Sequence, residues 1–317
     1  MAKIALFGAA GAIGQSIASA LSSNHQEYRV VGRSRAALQQ AFGSDPLAEI
    51  VIWNPDDPAS VRAAAQDIDT LIYVVGVAYD HFELHPQLMR KTLDGAIAAG
   101  VPRILLIGTV YSYGLPQTNP VREEHPRNPN TFKGRMRKEQ EDLLLEADAS
   151  GNIHGAVLRL PDFYGPGVDK SFLHSIFVAA AKGGRAQVMA PLDTPHQYVY
   201  VPDIGAVVAR LIENPGAYGR VWHLAGAGTI TTREVIQQAF ALTGRKPKMI
   251  VAGPMTLRLM GLFNPLLREM VEMQYLQTNP VVLDDTALRA LLGEIKKTSY
   301  EDGIRQCVEA AKIERPA

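Results

Sequence analysis

The sequence has 317 residues, of which 47% are hydrophobic and 20% charged, so it can bury a sizeable core and is not of the disordered class. Lys and Arg total 32, and Asp and Glu also total 32, which leaves no excess positive charge for binding nucleic acid or an anionic membrane surface. The single cysteine, Cys307, excludes an intramolecular disulfide framework and a cysteine-rich metal site.

The first predicted elements are a strand at Ile4–Phe7, a glycine turn and a helix. Gly8, Gly11 and Gly14 follow the strand at a spacing of three. Such a turn lets backbone N–H groups at the start of the helix point at a phosphate, which the helix dipole also favours. Side chains at Gly8 and Gly11 would block that approach, and Gly14 lets the helix pack close to the strand. The context predicts a dinucleotide site contacted by Gly8, Gly11, Ala12, Ile13 and Gly14.

Strands and helices alternate through the first half of the chain. The predicted strands are Tyr28–Gly32, Glu49–Trp53, Thr70–Val75, Arg103–Thr109 and His154–Arg159, and the predicted helices are Arg35–Phe42, Asp57–Gln66, Pro86–Ala99 and Lys133–Ala149. This rhythm predicts right-handed crossovers and an α/β Rossmann fold with a doubly wound parallel sheet. Because the first strand begins near Lys3 and no apolar run approaches the ~20 residues of a membrane span, we expect a cytoplasmic protein without a signal peptide or a membrane segment.

After Leu160 the rhythm changes. The predicted helices are Ser171–Lys182, Pro202–Glu213, Thr231–Thr243 (opened by a Thr231/Glu234 capping box), Asp284–Leu292 and Tyr300–Ala311, with an apolar segment at Met255–Gln277 and short strands at Ala186–Met189, Gln197–Val201 and Val221–Leu224. We therefore predict a Rossmann domain over 1–165, to which 197–230 returns. Residues 166–196 and 231–317 are predicted to form a smaller, mostly helical substrate lobe.

Together these stretches resemble the extended short-chain dehydrogenase/reductases, also called NAD-dependent epimerase/dehydratases. The matching pieces, in order, are Gly8/Gly11/Gly14, Gly108–Gly114, Arg159–Gly167, Val199–Ile204, and Gly219–Gly226 followed by Thr231–Glu234. The resemblance covers nearly the whole chain. It implies an oxidoreductase or epimerase/dehydratase acting on a small molecule, with its cofactor across the strand ends. Relatives often form homodimers through the helices predicted at Pro86–Ala99 and Lys133–Ala149.

The end of the second strand bears on the choice of cofactor. An acidic residue there would bind the ribose 2′-hydroxyl of NAD, but the sequence reads Gly32-Arg33-Ser34-Arg35. Because Arg33 can grip a phosphate bidentately and Ser34 can donate a hydrogen bond, we predict NADP(H) over NAD(H). The alternative is that the arginines merely flank an exposed helix start. Asn54 stands where relatives bind the adenine, although Asn-Pro also forms turns. Val74, Val75 and Gly76 are predicted to line the far side of the cofactor.

The resemblance also implies a catalytic set of Ser/Thr, Tyr and Lys, from which this sequence departs. Thr109 fits the hydroxyl. Aligning on Gly134 places Lys133 at the tyrosine and Arg137 at the lysine. Arg137 can still hold ribose hydroxyls but cannot shed a proton. Lys133 would donate a proton only if burial and the charge of Arg137 made its ammonium more acidic; otherwise it belongs to an exposed basic helix start. Tyr111 is another candidate donor, whereas Tyr113 is expected to be structural.

The predicted substrate contacts are mainly aromatic. They are Tyr79, Phe82, Tyr111, Asp162 and Phe163, of which Tyr79, Phe82 and Phe163 could instead belong to the core of the lobe. Asp162 stands where sugar-nucleotide enzymes of the family usually have asparagine. A carboxylate there would repel a pyrophosphate, which favours a small neutral or hydrophobic carbonyl compound. No third ligand accompanies His81 and His85, so no metal site is predicted. The alternative to an enzyme is a non-catalytic NADP(H)-binding redox sensor.

Overall fold

The computed structural model describes residues 3–253, 255–256, 259, 269 and 271–313. The strands are β1 (Ile4–Phe7), β2 (Tyr28–Gly32), β3 (Ala48–Ile52), β4 (Thr70–Tyr73), β5 (Arg103–Thr109), β6 (His154–Leu160), β7 (Asp162–Tyr164), β8 (Ala186–Met189), β9 (Pro195–His196), β10 (Tyr198–Tyr200), β11 (Arg220–His223), β12 (Ile230–Thr231) and β13 (Met249–Ala252). Within the described residues, seven strands form a parallel sheet in the order β11-β6-β5-β4-β1-β2-β3. The predicted Rossmann fold is therefore confirmed.

Helices cover both faces of this sheet. They are α1 (Ala12–Ser23), α2 (Arg35–Phe42), α3 (Pro58–Ala65), α4 (Leu84–Ala98), α5 (Phe132–Ala149), α6 (His174–Lys182), α7 (Val201–Glu213) and α8 (Thr232–Ala241), with further helices at Tyr275–Thr278, Thr286–Leu292 and Tyr300–Ile313. Successive residues of β1 alternate between two apolar clusters, as the period of a strand requires. Ile4 and Leu6 pack with α1 and α7, whereas Ala5 and Phe7 pack with α3, α4 and α5.

Helix α7 returns from the second half of the chain and lies directly against α1. A Cβ at Gly205 would come within 2.6 Å of the carbonyl carbon of Ser16, so only glycine fits this crossing. The Ser16 hydroxyl donates to the Val201 carbonyl at 2.7 Å and accepts from the Gly205 N–H at 3.1 Å. The helix that follows the glycine turn is thus fixed on its outer side.

A third apolar cluster lies in the second half of the fold. It joins α6, α8 and the helix Tyr300–Ile313, and the short strand pairs β8–β13, β7–β10 and β9–β12 lie outside the main sheet. The Thr231/Glu234 capping box is present at the start of α8. The strand predicted at Val221–Leu224 lies at Arg220–His223 and joins the main sheet beside β6.

Several expectations differ in detail from the observed elements. The strands β7, β9, β12 and β13 are absent from the prediction because each is only two to four residues long and shows little alternation. Most of the apolar segment predicted at Met255–Gln277 lies outside the described residues. The proposed domain boundaries stay a prediction. Over the described part of the chain, no helix is long and apolar enough to cross a membrane.

Candidate active site

The glycine turn between β1 and α1 is held by close backbone contacts. Gly8 has φ +89°, and a Cβ there would lie 2.8 Å from the backbone of Val74. A Cβ at Gly14 would lie 2.7 Å from the carbonyl carbon of Ala9. Gly11, the N-cap of α1, is different, because the nearest atom to its Cβ would be the Gly8 oxygen at 3.7 Å. Two of the glycines are therefore required by the fold itself, and the third leaves open space beside the start of the helix.

A single cleft of about 1600 Å³ runs past this turn. Nearly all of the predicted site residues line it: Gly8, Gly11, Ala12, Ile13, Gly14, Arg33, Ser34, Val74, Val75, Gly76, Tyr79, Phe82, Thr109, Tyr111, Arg137, Asp162 and Phe163. The cleft lies where the strand order reverses between β1 and β4, which is where open α/β sheets bind their ligands. The structure thus brings the predicted cofactor and substrate contacts into one continuous space. Asn54 and Lys133 are not among the lining residues.

The two predicted phosphate contacts after β2 have different surroundings. The Ser34 hydroxyl accepts from the Ala37 N–H at 3.3 Å and caps α2. Arg33 is exposed on the cleft and has no hydrogen-bond or ion-pair partner among the described residues. Its guanidinium is therefore available to an anion. The Asn54 side-chain oxygen accepts from the Asp56 N–H at 3.0 Å, so Asn54 forms the turn that its Asn-Pro sequence also allows.

Two tyrosine hydroxyls meet at the inner end of the cleft. The Tyr79 and Tyr111 hydroxyl oxygens lie 3.4 Å apart. Burial raises the pKa of both groups well above the usual tyrosine range. Each is consequently a neutral hydroxyl near pH 7, able to donate a hydrogen bond or a proton. Thr109, at the end of β5, lines the same part of the cleft.

Arg137 projects into the cleft from α5 and is held from behind. One guanidinium nitrogen donates to the Ile107 carbonyl and another to His85 Nδ1, both at 3.1 Å. Burial, with a smaller effect from Arg137, lowers the pKa of His85 to about 2, so the imidazole is neutral and can accept this bond. A guanidinium has five N–H donors, so Arg137 keeps donors for a ligand. Sequence reasoning missed His85 as its partner, since nothing local connects α4 with α5.

Lys133 lies outside the cleft, enclosed by side chains. It is fully buried, and its ammonium donates to the carboxylates of Glu269 and Glu272, the latter at 2.8 Å. The ammonium nitrogen also lies 5.1 Å from the Tyr79 ring centroid and 5.6 Å from that of Phe82. The helix start at Lys133 is thus neither exposed nor aimed into the cleft. Because the ammonium is bonded to two carboxylates and does not line the cleft, this geometry does not support the candidate role of Lys133 as proton donor.

A buried polar network fixes the segment that carries Tyr111. Arg159 forms an ion pair with Glu141 at 2.6 Å and donates to the Tyr113 hydroxyl at 2.5 Å. That hydroxyl contacts His223 Nε2 at 2.5 Å, and His223 Nδ1 lies 3.1 Å from the Asp284 carbonyl. Because the carbonyl only accepts, Nδ1 carries the proton and Nε2 accepts from Tyr113. Tyr113 is therefore structural, as the sequence led us to expect.

The sequence also matches a known protein family. Residues 4–225 match the NAD dependent epimerase/dehydratase family. The chain belongs to this family. The predicted family and the predicted enzyme class, a nicotinamide dinucleotide-dependent oxidoreductase or epimerase/dehydratase, are confirmed at this level. Around the cleft, as elsewhere in the described residues, no group of three or more His, Cys, Asp or Glu side chains could hold a metal ion.

Proteins similar to this chain include a ketoreductase, a dehydratase and an epimerase. The chain is 23% identical over 251 residues to a probable dTDP-4,6-dihydroxy-2-methyloxan-3-one 4-ketoreductase of Streptomyces antibioticus, covering 76% of this chain and 77% of the relative. The fold matches dTDP-glucose 4,6-dehydratase of Streptomyces venezuelae, solved with NAD, at a TM-score of 0.80 and 17% identity over 97% and 96% of the two chains. It also matches UDP-glucuronic acid 4-epimerase of Bacillus cereus, solved with NAD, at a TM-score of 0.78 and 18% identity over 98% of each chain.

Proposed function

We propose that this protein is an NADP(H)-dependent oxidoreductase that reduces the carbonyl group of a small molecule. The observation that carries the proposal is the cleft that joins the glycine turn, the exposed Arg33 guanidinium and the Tyr111 hydroxyl. A dinucleotide suits these residues, because Gly11 leaves open space at the positive end of α1. Similarity to a ketoreductase supports the choice of reaction.

Arg33 is the residue on which the choice of NADP(H) rests. No carboxylate follows β2, so nothing there would repel a 2′-phosphate. A guanidinium binds a phosphate through parallel N–H bonds, and Arg33 has no protein partner in the described residues that would compete. Arg137 is placed to hold ribose hydroxyls with the donors that His85 and Ile107 do not use.

Tyr111 takes the role of proton donor in this proposal. A nicotinamide held in the cleft would supply hydride for the carbonyl carbon. Tyr111 donates its proton to the carbonyl oxygen, and the Thr109 hydroxyl orients that oxygen. Because burial raises the pKa of Tyr111, the phenol stays protonated at pH 7, which suits reduction of a carbonyl and not removal of a proton from an alcohol.

A second candidate function is a non-catalytic NADP(H)-binding sensor. The observation in its favour concerns Lys133, which occupies the position of the family's catalytic tyrosine. Its ammonium forms ion pairs with Glu269 and Glu272. Such a protein would bind the cofactor in the same cleft without consuming it. Turnover therefore separates the two functions.

The first test measures the binding of NADPH and NADH by fluorescence titration. We expect the wild type to bind NADPH more tightly than NADH. Arg33→Ala should lower the affinity for NADPH at least tenfold and change the affinity for NADH less than twofold. Arg35→Ala is the matched control, because Arg35 is also exposed but does not line the cleft. No binding of either dinucleotide would overturn the proposal, and a preference for NADH would overturn its NADP(H) part.

The second test screens aldehydes and ketones for NADPH consumption. Loss of a general acid costs about 10²–10⁴ in rate, so we expect Tyr111→Phe to lower kcat by at least 100-fold with NADPH affinity unchanged. NADPH binding without consumption of any carbonyl compound would favour the sensor. An unchanged kcat in Tyr111→Phe would show that Tyr111 is not the proton donor.

A further inference from the structure

A small recess shares lining residues with the cleft. Its volume is about 10 Å³, which is room for one water molecule or one hydroxyl group. Tyr79, Tyr111 and Asp162 line both the cleft and this recess. The proposed proton donor is therefore a wall of the recess, and a group seated there lies close to the reacting carbonyl.

The recess has a donor as well as an acceptor. Gln274 lines it, and the buried Nε2 of that side chain has no hydrogen-bond partner within the described residues. Buried polar groups are costly when unsatisfied, so this donor calls for an oxygen-bearing ligand.

Asp162 is the acceptor, and it stands without a cation. The structure shows no hydrogen bond or ion pair to its carboxyl from any described residue, although the carboxyl faces the cleft. Burial raises its pKa to about 6, so it is largely ionised at pH 7.5. The titratable groups that face it are Tyr79, Tyr111, Tyr198 and Tyr275, and burial keeps all of these phenols neutral.

We propose that this recess selects a neutral substrate with a hydroxyl group near its carbonyl, with Asp162 accepting a hydrogen bond from that hydroxyl and Gln274 donating one to it. The inference rests on the proposed reductase function and names its substrate class. A phosphate at this end of the cleft is rejected, because it exceeds the volume of the recess and meets an unpaired carboxylate. Hydroxy-aldehydes and hydroxy-ketones fit, whereas phosphate esters do not.

The kinetic test compares glyceraldehyde with propanal, which has the same carbon chain without hydroxyls. We expect the wild type to show at least tenfold higher kcat/KM for glyceraldehyde, and Asp162→Leu, which removes the acceptor that Asn would keep, to bring the two substrates within threefold. Asp169→Leu is the matched control, since it removes an exposed carboxylate from the same cleft, and it should keep the wild-type ratio. An unchanged ratio in Asp162→Leu overturns the proposal.

A binding test works without turnover. dTDP-glucose is titrated calorimetrically into NADP⁺-saturated protein, and Asp162→Asn is expected to bind it at least tenfold more tightly than the wild type. Equal or undetectable binding by both proteins overturns the recess proposal. If the wild type consumes no carbonyl compound, the proposed reductase function is wrong. The binding difference between the wild type and Asp162→Asn then tests the role of Asp162 in the recess by itself.

If Asp162→Asn does not fold, the pH dependence of dTDP-glucose binding by the wild type tests the same assignment. Between pH 8 and pH 5 the diphosphate of dTDP-glucose keeps its charge, whereas Asp162 takes up a proton near pH 6. Its affinity for the NADP⁺-saturated protein is therefore expected to rise as the pH falls. An affinity independent of pH over this range contradicts the assignment of Asp162.

Discussion

Alanine substitutions at Gly11 and Gly14 separate cofactor binding from folding. At Gly14 the added Cβ lies 2.7 Å from the Ala9 carbonyl carbon and 2.8 Å from the Ala9 Cα, and backbone atoms cannot swing aside. Overpacking of this kind costs about 1–3 kcal/mol of stability. At Gly11 the φ is −73°, which suits any residue, and the nearest atom is 3.7 Å from the added Cβ.

The cost of Gly11→Ala to the fold is correspondingly small. Alanine is a poorer N-cap than glycine, but it also reduces the entropy of the unfolded chain, and the two effects together stay within about 0.5 kcal/mol. The methyl group nevertheless stands at the start of α1, where the proposed pyrophosphate approaches. We therefore expect Gly11→Ala to weaken NADPH binding at least tenfold at nearly unchanged stability.

The assay combines urea denaturation with NADPH titration for both variants. Gly14→Ala should lose about 1–3 kcal/mol of unfolding free energy, the overpacking cost given above. Wild-type NADPH affinity in Gly11→Ala would refute the placement of the pyrophosphate. Wild-type stability in Gly14→Ala would refute the close packing of the turn.

Three further predictions concern buried ionisable groups. Arg159→Met removes the shortest ion pair of the buried Glu141 carboxylate and leaves it only the longer contact with Arg127 at 3.3 Å, so it should lower the unfolding free energy toward the lower end of about 3–5 kcal/mol in a urea titration. Lys133→Met should cost less, about 1–3 kcal/mol, because its carboxylate partners are partly exposed, and should keep kcat within threefold. Burial lowers the pKa of His85 to about 2 and that of His223 to about 3, so below pH 6.5 only the unfolded chain protonates them. Each histidine should then remove about 1.4 kcal/mol of stability per pH unit, measured by denaturation between pH 7 and pH 5.

Specific results would contradict these expectations. Arg159→Met is compared with Arg159→Met/Glu141→Gln, which also removes the buried carboxylate charge and should recover part of the lost stability. Equal stability of the two variants would argue against the poorly compensated Glu141 charge as the cause. A folded Lys133→Met protein without carbonyl reduction would return Lys133 to the role of proton donor. His223→Gln should show a shallower acid dependence than the wild type, and an identical dependence would contradict a neutral buried imidazole.

Local patterns in the sequence predict the sheet and the cofactor end of the cleft. The strands Tyr28–Gly32, Arg103–Thr109 and Ala186–Met189 have the predicted bounds, because short apolar runs between turn residues are a local signal. The glycine turn is equally local. Its spacing and its position between a strand and a helix are both visible within a few residues.

The catalytic end depends on contacts between distant parts of the chain. Lys133 meets Glu269 and Glu272 across 136 and 139 residues, and no periodicity in the sequence indicates that pairing. His85 and Arg137 are likewise 52 residues apart. The sequence therefore identifies Lys133 as unusual, but only the fold shows that its charge is already matched and that a neighbouring tyrosine faces the cleft.

The position of β11 has a consequence for any attempt to isolate the cofactor-binding half. This strand comes later in the chain than α6 and α7, yet it pairs with β6 along its outer edge. The β6 residues from Gly155 to Leu160 are all buried. A fragment ending near residue 165 would expose a long apolar strand with unpaired backbone groups, a template for self-association. Fragments cut there should aggregate when expressed. Fragments that retain Arg220–His223 keep β6 paired with β11 and should aggregate less.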